Sequence, residues 1–317
     1  MLTFTKSNGC TLIGEISPFG FNPKGDPQCI YFKPDPDGEL DSEIDTTPEN
    51  ELRIFKNLIS MNKRVSEDDL DEMVSSFQRR DKSTQTQRLK RIYSQAVSDT
   101  RNSLKKYLNF GASTLITPKI EDKGEGYRIF ISGLSGSGKS FWISNFMKHN
   151  KLISKEAGAF LFSPVKDDKS LSGIKNLIHL NLDELNATLE GKDFEIDDIP
   201  RHSAVLFDDV ESFPKKQAKE YMEMRDIFLE RSRHFAHRVF TISHNCLNGN
   251  ATKVSIRESQ YWVLFLANKA DCTKILKIYG GLTQDQIRLI TSQKSRYCLF
   301  KKTHPQYALF EHSIIVL

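Results

Sequence analysis

Apolar residues fall into two patterns along this chain. Short, nearly continuous blocks stand at Arg128–Ser132, Ala159–Ser163, Ser203–Phe207, Arg238–Ser243 and Tyr261–Ala267. Unbroken apolar blocks of this length suit strands covered on both faces, whereas strict alternation would mark a sheet with one wet face. Between the blocks, Lys139–Lys148 and Lys216–Arg233 carry apolar residues at helical spacing. In the second, Tyr221, Met224, Ile227 and Phe228 form one stripe expected to face a core. Strand and helix in alternation predict an α/β domain with a mostly parallel central sheet and helices on both faces. Toward the C-terminus, Thr283 and Gln286 have the spacing of a capping box opening a short helix through Ile287 and Ile290. Arg296–Lys302 and Tyr307–Ile315 then read as strands joined by a turn at His304–Pro305.

Upstream the pattern changes. Residues 19–51 are rich in Pro, Gly and Asp, which predicts loops around one short strand at Cys29–Phe32. From Leu52, helical spacing appears in Leu52, Phe55, Leu58 and Ile59. It returns in Leu70, Met73 and Phe77 behind a helix start at Ser66, and again in Leu89, Ile92, Tyr93, Val97, Leu104, Tyr107 and Leu108. The expected organisation is therefore an acidic segment of loops and short strands over 1–50, a basic helical module over 51–110, and the α/β domain over 111–317.

Composition narrows the class. With 317 residues, 38% hydrophobic and 21 Phe, the chain can build a sizeable core, which excludes collagen-like, wholly disordered and disulfide-scaffold proteins. No apolar run approaches the roughly 18–20 residues of a membrane-spanning helix, and the first residues form no apolar leader, so a soluble, intracellular-type chain is expected. Five dispersed cysteines without a Cys-x-x-Cys pair fit a reducing compartment and buried single thiols. The net charge of +4 conceals segregation. Residues 1–52 hold 3 basic and 10 acidic side chains, and residues 79–106 hold 9 basic and 2 acidic.

The decisive segment follows the first apolar block of the α/β domain. Gly133-Leu134-Ser135-Gly136-Ser137-Gly138-Lys139-Ser140 satisfies G-x-x-x-x-G-K-S after a strand and at the opening of a helix, where a phosphate-binding loop must sit. Its glycines let the backbone curl so that amide N–H groups point at phosphate oxygens, and the helix N-terminus adds favourable dipole charge. Lys139 is placed to reach the β- and γ-phosphates of ATP, and Ser140 to put its hydroxyl on Mg²⁺. The block ending in Asp208-Asp209 supplies the acids: Asp208 for Mg²⁺, and Asp209 to orient or deprotonate the attacking water, with Glu211 the alternative base. The strand ending Ser243-His244-Asn245 brings polar groups to the crevice where open sheets bind ligands. Asn245 is the expected γ-phosphate sensor, with His244 the alternative. In an oligomeric ATPase one of Arg231, Arg233 or Arg257 would reach a neighbour's γ-phosphate, since a guanidinium supplied in trans stabilises transferring charge. Beside such a domain the basic stretch 79–106 becomes a candidate for contact with DNA or a protein partner.

This ordered set resembles the genome-packaging ATPases of large double-stranded DNA viruses, the group related to vaccinia's packaging ATPase and allied to the FtsK/HerA translocases. The resemblance is carried by Gly133–Ser140, Leu206-Phe207-Asp208-Asp209, the Arg233-His234 step before a strand, Ser243-His244-Asn245, and Arg257 ahead of Tyr261-Trp262-Val263-Leu264-Phe265. It covers roughly residues 124–290. It implies a RecA-like P-loop fold of the FtsK/HerA type and an ATP- and Mg²⁺-dependent ring oligomer that drives double-stranded DNA into a preformed capsid. A capsid or portal-vertex protein would be its partner, in the host cytoplasm or viral factory. By the same resemblance Lys139 and Ser140 hold phosphates and metal, Asp208 is the metal acid and Asp209 the catalytic acid. Two other readings share the loop: a helicase or AAA+-type remodelling ATPase, and a small-molecule kinase. The paired acids favour water activation over transfer to an alcohol.

Overall fold

The computed structural model describes residues 2–3, 6, 9–18, 28–32, 107–109, 114–122, 124–153, 157–165, 168–188 and 194–317. The chain forms two compact units, Met1–Leu2 with Lys33–Leu108, and Thr3–Phe32 with Asn109–Leu317. In the first unit only Leu2 and residues 107–108 are described. Of the helical module expected over 51–110, residues 51–106, with the basic stretch 79–106, lie outside the described residues, and Tyr107–Asn109, expected to continue a helix through Tyr107 and Leu108, is instead a short strand.

The second unit holds the predicted α/β domain. Its main strands are β4 (Tyr127–Ser132), β5 (Ala159–Phe162), β6 (Leu177–His179), β7 (Ala204–Asp208), β8 (Arg238–Ser243) and β9 (Tyr261–Phe265), followed by β10 (Tyr297–Lys301), β11 (Tyr307–Leu309) and β12 (Ser313–Val316). They lie in the order β12-β11-β10-β9-β4-β8-β7-β5-β6. From β9 to β6 neighbouring strands pair parallel, while β9 to β12 pair antiparallel, so the sheet is mixed. Every apolar block named from the sequence is a strand. The exception in extent is Tyr307–Ile315, which is two strands. The chain reverses at Phe310, whose N–H donates to the Ser313 carbonyl at 2.8 Å, and the Glu311 carboxylate is drawn to Arg296 at 2.7 Å.

Helices cover both faces. On one, α1 (Lys139–His149) packs Phe146 against Phe240 of β8 at 6.1 Å and Tyr127 of β4 at 6.5 Å. On the other, α2 (Leu182–Thr188) and α3 (Lys215–Phe235) cover Phe162, Val205, Phe207 and Val239. Successive residues Val239 and Phe240 thus serve opposite faces, which is why β8 reads as an unbroken apolar run. The buried side of α3 is Ala218, Tyr221, Arg225, Phe228, Leu229 and Ser232, while Ile227 is 38% exposed. Of the stripe drawn from the sequence, Tyr221 and Phe228 lie in the core and Met224 packs against it, and only Ile227 faces outward, its place taken by Leu229. Small Ala218 and Ser232 are buried on this side, and so is Arg225, whose guanidinium pairs with Asp226 at 2.8 Å. Like α2, two further helices, α4 (Asn250–Glu258) and α5 (Lys269–Ile278), were not marked by the pattern; α6 (Gln284–Thr291) was. The box opening α6 forms as expected, with the Gln286 N–H donating to Thr283 Oγ1 at 3.3 Å and the Thr283 N–H to Gln286 Oε1 at 2.9 Å.

A small antiparallel sheet is built from β1 (Thr11–Pro18), β2 (Gln28–Phe32) and β3 (Thr114–Pro118) in the order β2-β1-β3. It meets the C-terminal strands at the Ile116 N–H, which donates to the Glu311 carbonyl at 2.8 Å. Among the described residues, no helix is long and apolar enough to cross a membrane.

Candidate functional site

The sheet register brings the predicted groups to one edge. Asp208 pairs with Ile242, which pairs on its other side with Ile131, and Ser243 lies beside Ser132. The loop leaving β4, the acid ending β7 and the polar end of β8 therefore share a crevice, with β8 in the middle. Residues far apart in sequence meet there because parallel strands all end on the same side.

Gly133–Gly138 forms the turn between β4 and α1. Gly136 and Gly138 have φ of 73° and 98°, in the left-handed region that glycine enters without a Cβ penalty. A Cβ at Gly133 would stand 2.5 Å from Phe265 Cβ and 2.8 Å from Ser137 Oγ, so a side chain there would force the loop open. Lys139 is buried at the first turn of α1. Its Nζ donates to the carbonyls of Gly133 at 2.8 Å and Leu134 at 3.2 Å, and lies 3.0 Å from His244 Nδ1. Burial lowers the pKa of this ammonium against the opposing pull of Asp208 and Asp209. The amine is thus held over the loop, close to where phosphates would lie.

An ammonium offers only donors, so His244 Nδ1 accepts from Lys139 and the ring proton sits on Nε2. That nitrogen is 3.3 Å from Asp209 Oδ2. Lys139, His244 and Asp209 form a continuous polar relay across the end of β8. Asp209 adopts a left-handed conformation at φ 50° and accepts from Ser212 Oγ at 2.6 Å. Glu211, two residues on, accepts from the Ser243 hydroxyl.

Burial pushes the Asp208 carboxyl up to about 7; Asp209, Asp168 and Glu211 add to the rise, and only Lys139 opposes it. A carboxylate so crowded by like charges is poised to accept a divalent cation, because a cation relieves both desolvation and repulsion. Asp168 was not foreseen. It follows β5 and caps the short turn Lys169–Leu171, accepting from the Ser170 N–H at 2.8 Å and from the Ser170 hydroxyl. Burial raises its pKa, but hydrogen bonds from Ser170 and from the Ser140 hydroxyl outweigh this and lower it. Its sequence signature, Asp two residues before Ser, is that of an ordinary turn cap, so only the fold reveals that it faces Ser140 and Asp208.

The donor set suits nucleotide and metal. Ser140 and Asp208 are hard oxygens of the kind Mg²⁺ takes alongside water and substrate phosphates. Among the described residues no group of three or more His, Cys, Asp or Glu is arranged to hold a metal ion by itself.

Asn245 is exposed, and its N–H donates to Ser243 Oγ at 3.3 Å; His244 is the residue that touches Lys139. Arg233 stands in the last turn of α3. That helix leaves the acid edge and runs 21 residues, about 31 Å at 1.5 Å per residue, to the opposite edge of the sheet. There Arg233 is close enough to Arg128, near the start of β4, to depress that guanidinium's pKa after burial has done so. Arg231 and Arg257 are exposed, with the Arg257 carbonyl held by Lys302 Nζ.

No protein-family model matches the chain. The uncharacterized protein V3 of Sputnik virophage is 29% identical to it over 192 residues, which span 58% of this chain and 74% of that protein. Among solved structures, the genome packaging NTPase B204 of Sulfolobus turreted icosahedral virus 2, in complex with sulfate, is similar over 59% of this chain and 96% of its own, at 10% identity and a TM-score of 0.40. The cytoplasmic domain of the type VII secretion ATPase EccC of Thermomonospora curvata matches 65% of this chain and 28% of its own, at 15% identity and a TM-score of 0.43. The conjugation coupling protein TcpA of pCW3, with ATPγS, matches 66% and 65% respectively, at 11% identity and a TM-score of 0.37. These are likenesses of fold at low identity. The fold itself is the α/β P-loop architecture expected from the sequence.

Proposed function

We propose that this chain is an Mg²⁺-dependent ATPase that translocates double-stranded DNA and packages a viral genome into a preformed capsid. The observation that carries the ATPase reading is the convergence of Lys139, Ser140, Asp208, Asp209 and His244 at one sheet edge around the phosphate-binding loop. ATP supplies the phosphoanhydride to be cleaved, and Mg²⁺ neutralises its charge. The loop amides and Lys139 would hold the phosphates, and Ser140 and Asp208 the metal. Lys139 gives up its contacts with Gly133, Leu134 and His244 when it turns to a phosphate. His244 is then free to report that change to Asp209, which it already touches. Asp209 or Glu211 takes the proton of the attacking water. Asn245 remains an alternative to His244 as sensor.

The DNA-packaging part of the reading is supported by the ordered motif set, by the relative from a virophage, and by the basic stretch 79–106. It carries with it a homo-oligomeric ring, in which Arg233 serves a neighbour's site, a capsid or portal-vertex partner, and action in the host cytoplasm or viral factory. The test is ATP turnover by purified protein alone, with double-stranded DNA, with single-stranded DNA and with nucleosides. Stimulation by double-stranded DNA, and a fall of about 100-fold or more in Lys139→Ala, are expected. Near-normal turnover in folded Lys139→Ala refutes the site. Consumption of a nucleoside with no DNA effect moves the reading to a kinase.

A further inference from the structure

The strand order places one more acid at the nucleotide edge. β5 pairs parallel with β7 so that Phe162 lies beside Phe207, one residue before Asp208. Asp168 follows β5 and opens the turn Lys169–Leu171, which packs along α1. The approach is close: a Cβ at Gly173 would stand 2.6 Å from Ser144 Oγ, and Ser144 lies one helical turn beyond Ser140 on the same face of α1. Asp168 accepts from the Ser140 hydroxyl there. Its carboxylate is also fixed within its own turn. The Ser170 N–H, at 2.8 Å, and the Ser170 hydroxyl both donate to Oδ1, which leaves Oδ2 open.

A hydroxyl carries one proton and two lone pairs. Ser140 gives a lone pair to a metal ion best when its proton is held elsewhere, and Asp168 offers that proton a fixed acceptor. We propose that Asp168 is a positioning residue for Mg²⁺, which takes the Ser140 proton and so turns the lone pairs of that oxygen toward the ion. It acts through Ser140 rather than by ligating the ion, since among the described residues no three His, Cys, Asp or Glu are arranged to hold a metal by themselves. A carboxylate that fixes the proton of a metal-binding group orients that group, and losing such a partner commonly lowers metal affinity by about ten- to a hundred-fold. Capping the turn needs only Ser170; it does not require the carboxylate to face Ser140. The inference rests on the nucleotide-binding reading of the loop and adds to it a residue outside both the loop and the paired acids.

Asn caps a turn about as well as Asp, so Asp168→Asn removes the charge and keeps the turn, whereas Ser170→Ala loosens the turn and keeps the charge. ATP affinity of the full chain is measured in EDTA and across a Mg²⁺ titration for the parent, both variants, Ser140→Ala and the double variant Ser140→Ala with Asp168→Asn. Asp168→Asn should raise the Mg²⁺ concentration that half-maximally tightens ATP binding by about ten- to a hundred-fold. Its affinity for metal-free ATP should equal or exceed the parent's, because one negative charge near the phosphates is gone. Ser170→Ala should show no such split. On top of Ser140→Ala, Asp168→Asn should change the Mg²⁺ dependence little further, since the group through which it acts is absent. The proposal is overturned by an unchanged Mg²⁺ dependence in Asp168→Asn, by equal weakening with and without metal, or by the full loss repeated on top of Ser140→Ala. Ser170→Ala reproducing the split also overturns it, by assigning the effect to the turn. In each of these cases Mg²⁺-dependent ATP binding by the parent stands, and the nucleotide site with it. A parent that binds no ATP overturns both.

Discussion

Replacing Asp208 by Asn should stabilise the metal-free protein and disable it. The carboxyl is pushed up to about 7 by burial and then by Asp209 and Asp168, against an ordinary value of 3.8. The folded chain therefore holds this proton more tightly than the unfolded chain does. Stability then falls as pH rises from about 4 to about 7, the reverse of the usual salt-bridged carboxylate. The difference of 7 minus 3.8 corresponds to about 4 kcal/mol of strain at pH 8, and linkage leaves about 1.5 kcal/mol of it at pH 5. Asn keeps the shape without the charge. For a unit of this size the pH 8 gain amounts to a rise in melting temperature of about 10 °C, with a rise of about 4 °C at pH 5. Thermal unfolding of both proteins in EDTA, across pH 5 to 8, measures it. Added Mg²⁺ with a nonhydrolysable ATP analogue should stabilise the parent far more than the variant, because the charge that costs stability is the one that holds the metal. Equal melting temperatures at pH 8, or a gain that does not grow with pH, would show that the carboxylate is not strained and refute the reasoning.

Three further outcomes follow from the same geometry. Asp209→Asn should keep MgATP binding and lose hydrolysis, whereas full hydrolysis there, with loss in Glu211→Gln, assigns the base to Glu211; affinity and turnover measured side by side decide. Arg233 sits at the sheet edge opposite its own loop, so Arg233→Ala and Lys139→Ala subunits, each inactive alone, should recover turnover when mixed into one oligomer, and no recovery in assembled mixtures counts against action on a neighbour. Neutralising Arg88, Lys90 and Arg91 together should weaken double-stranded DNA binding regardless of sequence and lower the slope of log affinity against log salt by up to about 3, near 0.9 per phosphate contact; an unchanged slope removes this stretch from the DNA path.

The strands and the phosphate loop were legible in the sequence because each depends on local order. An apolar block such as Val205–Phe207 can hide only in a sheet covered on both faces, and Gly133–Ser140 needs only its own backbone, with glycines at the left-handed turns, to make an anion cradle. The Thr283–Gln286 box is legible for the same reason, since its two hydrogen bonds span three residues. Elements whose apolar residues are outnumbered by polar ones escaped notice: α4 shows Ile256 among Lys253, Arg257 and Glu258, and β1 is interrupted by Gly14 and Glu15. One member of the α3 stripe, Ile227, was misplaced because composition does not tell Ile227 from Leu229, and only packing decides which is covered. The site divides along the same line. Asp208 could be named from a strand end, but its raised pKa comes from Asp168 and Glu211 as well as burial, and none of that proximity is written along the chain. Nor is the contact of His244 with both Lys139 and Asp209, which exists because β8 is inserted between β4 and β7. Sequence alone named most of the candidate side chains; the order of the strands, a long-range property, decided which of them meet and added Asp168 to them.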